Sequence, residues 1–292
     1  MSGFFNNVEK YVSELQIKIC DAIEKLDGKK FTSDKWDMRS GGGGVTKVLS
    51  NGNVFEKCGI NFSSIHGKMN QEIANQLNIE PQEFSVCGVS LIMHPFSPKI
   101  PTIHMNIRFF ELEKGKTWFG GGTDLTPYYP YEEDFKHFHK TLKKACNSAI
   151  ENSYDIYKKN CDEYFFIKHR NEMRGIGGVF FDYIEGNKNN FSLVKSLGDS
   201  FLDSYLPIVE KRKYEKFTKE DKKFQLVRRG RYVEFNLIYD RGTLFGLKSG
   251  GRIESVLVSL PSEVSFIYNY VPKMNSPHSK MEKYYQPRDW SE

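Results

Sequence analysis

Within the first 26 residues, Val8, Tyr11, Val12, Leu15, Ile19, Ile23 and Leu26 recur at spacings of three and four. That stripe predicts an amphipathic helix whose apolar face packs against the rest of the fold. Beyond Gly28 the period changes. Gly41 to Gly44 excludes a helix interior and Asn51-Gly52 is a hairpin-turn pair, so strands are predicted on either side of that turn. Residues 84–94 and 102–111 are β-branched and aromatic runs separated by PFSPKIP, whose prolines force a loop between two adjacent strands.

Helical spacing returns over 131–150, with Phe135, Phe138, Leu142, Ala145 and Ala149 on one face, and again over 152–170. GIGGVFFDYIEG reads as a strand entered through glycine. Further helices are predicted over 191–210 and, behind a Thr218 cap with an acidic first turn, over 219–229. RYVEFNLIYD alternates and is predicted as a strand, and the tail from Pro261 is mixed with one short helix. Strands without a repeated βα unit point to an α+β fold built on a largely antiparallel sheet. No internal repeat or linker divides the chain, so a single domain over 1–292 is expected.

Composition narrows the class. Apolar residues at 39% and charged residues at 27% suit a globular protein with a substantial core. A net charge of +5 is too small and too dispersed for a nucleic-acid binder, although it suits a small polyanion. Cys20, Cys58, Cys87, Cys146 and Cys161 form no CxxC pair and read as reduced thiols. The opening MSGFFNNVEKYVSEL has neither signal-peptide nor transit-peptide character, and no stretch approaches the roughly 18 apolar residues of a membrane span. A cytoplasmic location is the resulting expectation.

Chemistry concentrates in PTIHMNIRFFE. A strand's period of two puts His104, Asn106 and Arg108 on one face and Met105, Ile107 and Phe109 on the other. Ser90 and His94 share a parity on the preceding strand and join the polar row if the two strands pair in register. In RYVEFNLIYDRG the same reasoning groups Glu234, Asn236 and Asp240, with Asp240-Arg241 where the strand ends. A carboxylate there serves as a base or caps a turn, and the pattern leaves both open. His94, His104, His139 and His169 are candidate metal ligands, yet no HExxH or comparable spacing links them, and satisfied imidazoles are the default. Neither glycine cluster completes a phosphate-binding motif.

Taken together, WDMRSGGGG, VFEKCGINFS, HPFSPKIPTIHMNIRFF, WFGGGTDLTPYYP, KHRNEMRGIGGVFFD, EFNLIYDRGTLFGL, GGRIESVLVSLP and the PRDW ending resemble the oxygen-dependent coproporphyrinogen oxidases along nearly the whole chain. The absence of a CxxxCxxC cluster separates it from the iron-sulfur radical enzyme of the same conversion. The resemblance implies a large antiparallel sheet with helices on both sides, usually in a homodimer with contacts around Tyr232 to Glu254. It implies oxidative decarboxylation of two propionates of coproporphyrinogen III, with O2 as co-substrate and no required cofactor. It assigns a general acid to His104, a catalytic pair to Asp240 and Arg241, and substrate contacts to Ser90, Asn106, Ile107, Arg108, Gly250, Gly251 and Arg252. The four histidines match positions given as metal ligands in bacterial relatives. A tetrapyrrole carrier without catalysis and a histidine-metal hydrolase are the rival readings.

Overall fold

In the computed structural model, which describes residues 1–39, 41–69, 71, 74–75, 79–248 and 251–292, the apolar stripe of the N-terminus forms helix α1 (Gly3–Asp27). The Ser2 side chain caps it by accepting from the Phe5 N–H, and Gly28 ends it in a left-handed conformation. Val8, Val12, Leu15, Ile19 and Ile23 are all buried, each contributing roughly 1.5–3 kcal/mol of apolar burial.

The strands are β1 (Thr32–Asp37), β2 (Gly42–Ser50), β3 (Phe55–Lys68), β4 (Glu83–Pro95), β5 (Thr102–Leu112), β6 (Thr117–Thr126), β7 (Phe166–Ile167), β8 (Glu172–Met173) and β9 (Gly178–Glu185). Seven of them make one sheet in the order β1-β2-β3-β4-β5-β6-β9, every neighbouring pair antiparallel, while β7 and β8 pair separately. The helices that follow are α2 (Glu132–Ala149), α3 (Ser153–Tyr164), α4 (Lys188–Arg212), α5 (Lys219–Ile238), α6 (Arg241–Lys248), α7 (Ile253–Leu257) and α8 (Pro277–Glu282). The fold is α+β, as the pattern predicts. No helix among the described residues is long and apolar enough to cross a membrane.

Register decides what each face presents. Val89 lies opposite Ile107 and Leu91 opposite Met105, and these join Phe109, Phe119, Leu125, Val179 and Phe181 in a core shared with α1, α2 and α4. The other face is covered by α5 to α7 in patches. Phe245 of α6 packs on Phe110 and Trp118, Val258 sits over Gly59, and Tyr232 of α5 stands edge-on to His94. Between these patches the sheet is polar.

Two expectations need correction, and one strand was not foreseen. RYVEFNLIYD is helical: α5 runs unbroken to Ile238, with Phe224, Val227, Arg228, Tyr232 and Phe235 buried at spacings of three and four. Leu237, which the alternation placed on the apolar face, is exposed. The helix predicted over 152–170 stops at Tyr164, and His169 lies in a single 3-10 turn, Lys168–Arg170, between β7 and β8. Strand β6 escaped the pattern altogether, because Gly120 to Gly122 depress strand propensity at the centre of a strand paired on both edges.

Candidate active site

Alternation on β5 is realised in the fold: His104, Asn106 and Arg108 are half-buried, and Ile103, Met105, Ile107 and Phe109 are buried on the opposite face. Strand β4 pairs in register, Ser90 opposite Asn106 and Ile92 opposite His104, so Ser90 does join the polar row. The row continues outward through Asn61, opposite Ser90, and Thr46, opposite Asn61. Ile107, a predicted substrate contact, directs its side chain into the core, so Asn106 and Arg108 supply the side chains that the tripeptide offers to this face.

His104 is oriented from behind. Its Nδ1 lies 3.0 Å from Asp124 Oδ1, and as Asp124 is a carboxylate the ring nitrogen donates. Asp124 also receives Arg174, Nη2 at 2.8 Å on Oδ1 and 2.9 Å on Oδ2. Burial alone would raise the Asp124 carboxyl, but Arg174 and His104 hold it below the usual carboxylate range. Arg174 is itself buried, its guanidinium within 4.2 to 4.8 Å of the ring centroids of Phe165, Tyr232 and Phe235, and it donates to Asn236 Oδ1 at 2.7 Å. This chain fixes the His104 tautomer and leaves Nε2 as the ring's reactive position.

Asp240 and Arg241 reach the same region by another route. Asp240 follows α5 and caps α6: Oδ2 accepts the Thr243 N–H at 2.8 Å and its hydroxyl at 2.7 Å, while Oδ1 accepts the Tyr164 hydroxyl at 2.8 Å. Burial would raise this carboxyl, but the Thr243 and Tyr164 bonds and nearby His104 hold it below its ordinary value. It is therefore an ionised acceptor at neutral pH. Arg241 lies over the Tyr164 ring at 4.9 Å and reaches Asp182 Oδ2 at 3.3 Å, and Arg108 reaches Asp182 Oδ1 at 2.8 Å. Glu234 and Asn236, grouped with Asp240 by strand parity, go elsewhere on the helix: Glu234 pairs with His169 and Arg170, and Asn236 accepts from Arg174.

The four candidate metal histidines are not brought together as a ligand set. His94 is fully buried, its Nε2 donating to the Ser259 carbonyl at 2.9 Å and its Nδ1 facing the Thr102 hydroxyl at 3.3 Å. His139 likewise engages Ile176 O and Tyr154 OH, and His169 engages Glu234 and the Tyr239 hydroxyl. Among the described residues no group of three or more His, Cys, Asp or Glu side chains could hold a metal ion. These four histidines therefore do not form a donor set that fits a metal.

Of the GGR triplet, Gly250 lies outside the described residues. The Gly251 N–H is engaged by the Gly246 carbonyl at 2.9 Å. Arg252 pairs with Asp34 on edge strand β1, and its Nη1 is buried without a hydrogen-bond partner. Asp124, Tyr164, Arg174 and Asp182 were missed by the sequence reading. The usable signal was local for Asp124 alone, a carboxylate inside the run WFGGGTDL. The five cysteines are free and buried.

The arrangement provides an oriented imidazole, an ionised acceptor and converging guanidinium groups on the polar face of a sheet, suited to a carboxylate-bearing substrate that needs positioning and proton transfer. In comparison with known families, residues 7–290 match the family model described as coproporphyrinogen III oxidase.

Proposed function

Since this chain belongs to the coproporphyrinogen III oxidase family, an oxidoreductase family of haem biosynthesis, we propose that it converts two propionates of coproporphyrinogen III to vinyl groups with O2, giving protoporphyrinogen IX. The observation that carries this reading is the convergence of Arg108 from β5 and Arg241 from α6 at Asp182, on the same face of the sheet as His104 with its open Nε2. Guanidinium groups bind carboxylates through charge-assisted, bidentate hydrogen bonds, and a porphyrinogen presents several carboxylates on a flexible macrocycle.

A porphyrinogen pyrrole is electron-rich, so the substrate itself can reduce oxygen. For each propionic acid group, one O2 is consumed and one vinyl group, one CO2 and one H2O2 are formed. The side chain loses its carboxyl and one further hydrogen, and oxygen takes up two electrons and two protons. The role of the protein is to position and shield. Asp240, held ionised by Thr243 and Tyr164, orients a pyrrole N–H by accepting its hydrogen bond. A depressed carboxyl is a better acceptor than proton-abstracting base, which favours orientation. His104, backed by Asp124 and Arg174, relays the proton at Nε2. Arg108 and Arg241 hold the propionates, and Arg252 adds a cation at the β1 side.

The functional unit in this reading is a homodimer. Leu237, Ile238, Leu247 and Ile253 are exposed apolar side chains in the 232–254 segment, an apolar surface that a second copy would cover. Purified protein mixed with anaerobically prepared coproporphyrinogen III in an oxygen-electrode cell tests the activity. The expected outcome is oxygen uptake with equimolar CO2 and fluorescent protoporphyrin after oxidation of the product. Binding of the porphyrinogen without oxygen uptake would identify a carrier instead.

A further inference from the structure

Asp182 stands between the two arginines, and the sheet is deformed to put it there. The β6–β9 register shifts between Phe119 and Gly121, a bulge that leaves Asp182 and Tyr183 out of the regular pairing. Tyr183 adopts a left-handed φ of 54°, uncommon for a bulky residue, and its N–H donates to Asp182 Oδ1 at 3.1 Å. Across on β6, Gly120 leaves the space that the pair occupies: a Cβ there would lie 2.5 Å from Asp182 Oδ1 and 2.7 Å from Arg108 Nε. Local strain of this kind persists where surrounding structure over-determines a conformation, and it clusters at ligand clamps.

Each Asp182 oxygen takes one guanidinium arm, Oδ1 that of Arg108 and Oδ2 that of Arg241. Arg108 is further anchored by its Nη1 donating to Asn106 Oδ1 at 3.1 Å. Arg241 is more than half exposed and comes from a separate helix, so Asp182 ties its guanidinium to the sheet. Two guanidinium charges and one carboxylate leave a net single positive charge, the complement of one substrate carboxylate. The Asp182 contacts use one Nη2 of each guanidinium, so the other N–H groups of Arg241 are the ones the proposal assigns to that ligand.

We propose that Asp182 is a positioning residue that clamps Arg108 and Arg241 into a receptor for one side-chain carboxylate of the tetrapyrrole. This inference rests on the functional reading above and deepens it. Its test is a fluorescence titration with oxidised coproporphyrin III, which reports binding without turnover, together with steady-state kinetics and thermal melts. Asp182→Asn is expected to weaken porphyrin binding about tenfold and to raise KM by a similar factor, with kcat within about threefold. Asp182→Glu should recover part of the affinity, because it restores the charge.

Gly120→Ala, which keeps every charge but crowds the pair, should reproduce the loss and serves if Asp182→Asn does not fold. Porphyrin affinity unchanged in folded Asp182→Asn and Gly120→Ala, with only the melting temperature lowered, would overturn the proposal and leave Asp182 a structural tether. Wild-type protein that binds the porphyrin but consumes no oxygen would instead overturn the oxidase reading, and the affinity comparison would still decide the clamp.

Discussion

At Asp240 two roles coincide, and one substitution separates them. Asparagine caps a helix about as well as aspartate, so Asp240→Asn should keep the Thr243 contacts and a melting temperature close to wild type. It removes the negative charge that would face the pyrrole, so conversion of coproporphyrinogen should be abolished in a fluorimetric assay of product. Near-normal turnover by this variant would remove Asp240 from the mechanism. Arg108→Lys keeps a charge but loses the planar fork, and should mainly raise KM. Arg174 answers to a different energy scale: Arg174→Met strands the Asp124 carboxylate in the interior, which should cost about 3–5 kcal/mol in denaturant unfolding.

Buried imidazoles set a pH dependence. Burial pushes His139 down from an ordinary 6.5 to about 3 and His94 in the same direction, so both are neutral in the fold. The unfolded chain takes up protons at these residues below about pH 6.5 while the folded chain does not. Their contribution to stability is thus fully present above pH 6.5 and is lost progressively as pH falls toward 3. His139→Gln should flatten the decline of the urea midpoint over that window. An unchanged slope would show that other groups govern acid unfolding.

At the scale of elements, the helical period prevailed over strand propensity in α5. Thr218 and Asp221 form a reciprocal capping box at its start, and Arg229 on its buried face bonds Glu56 and the Pro95 carbonyl. Thr218→Ala should lower stability by about 1 kcal/mol without affecting turnover, measured by thermal melts and the oxygen-electrode assay. The helix matters for the site because it delivers Asn236 to Arg174 and ends where Asp240 begins. A strand in its place would have put Glu234 on the same face as Asp240, whereas the helical turn sends Glu234 to His169 and Arg170.

For the molecule as a whole, the proposed dimer rests on the apolar side chains left exposed on α5 to α7. Exposed side chains contribute little to the stability of an isolated chain, so Ile238→Glu combined with Ile253→Glu should change the melting of a single subunit by no more than about 0.5 kcal/mol per site. The same pair of charges buried in an interface would halve the mass seen by sedimentation velocity. Wild-type protein sedimenting as a monomer at micromolar concentration would refute the dimer.

The amino-acid sequence by itself determined the helix of the first 27 residues, the strands that flank PFSPKIP, and the common face of His104, Asn106 and Arg108. These depend on periods of 3.6 and 2, which act between near neighbours in the chain. Its motifs also carried the family resemblance. Only the tertiary structure decided that Asp124 and Arg174 stand behind His104, that Asp182 joins Arg108 to Arg241, and that the four histidines stay apart. Those meetings depend on strand register, a bulge and the packing of helices against the sheet, and their partners lie 20 to 74 residues apart in sequence. No local period encodes such distances, since they follow from the balance of burial and pairing over the whole chain.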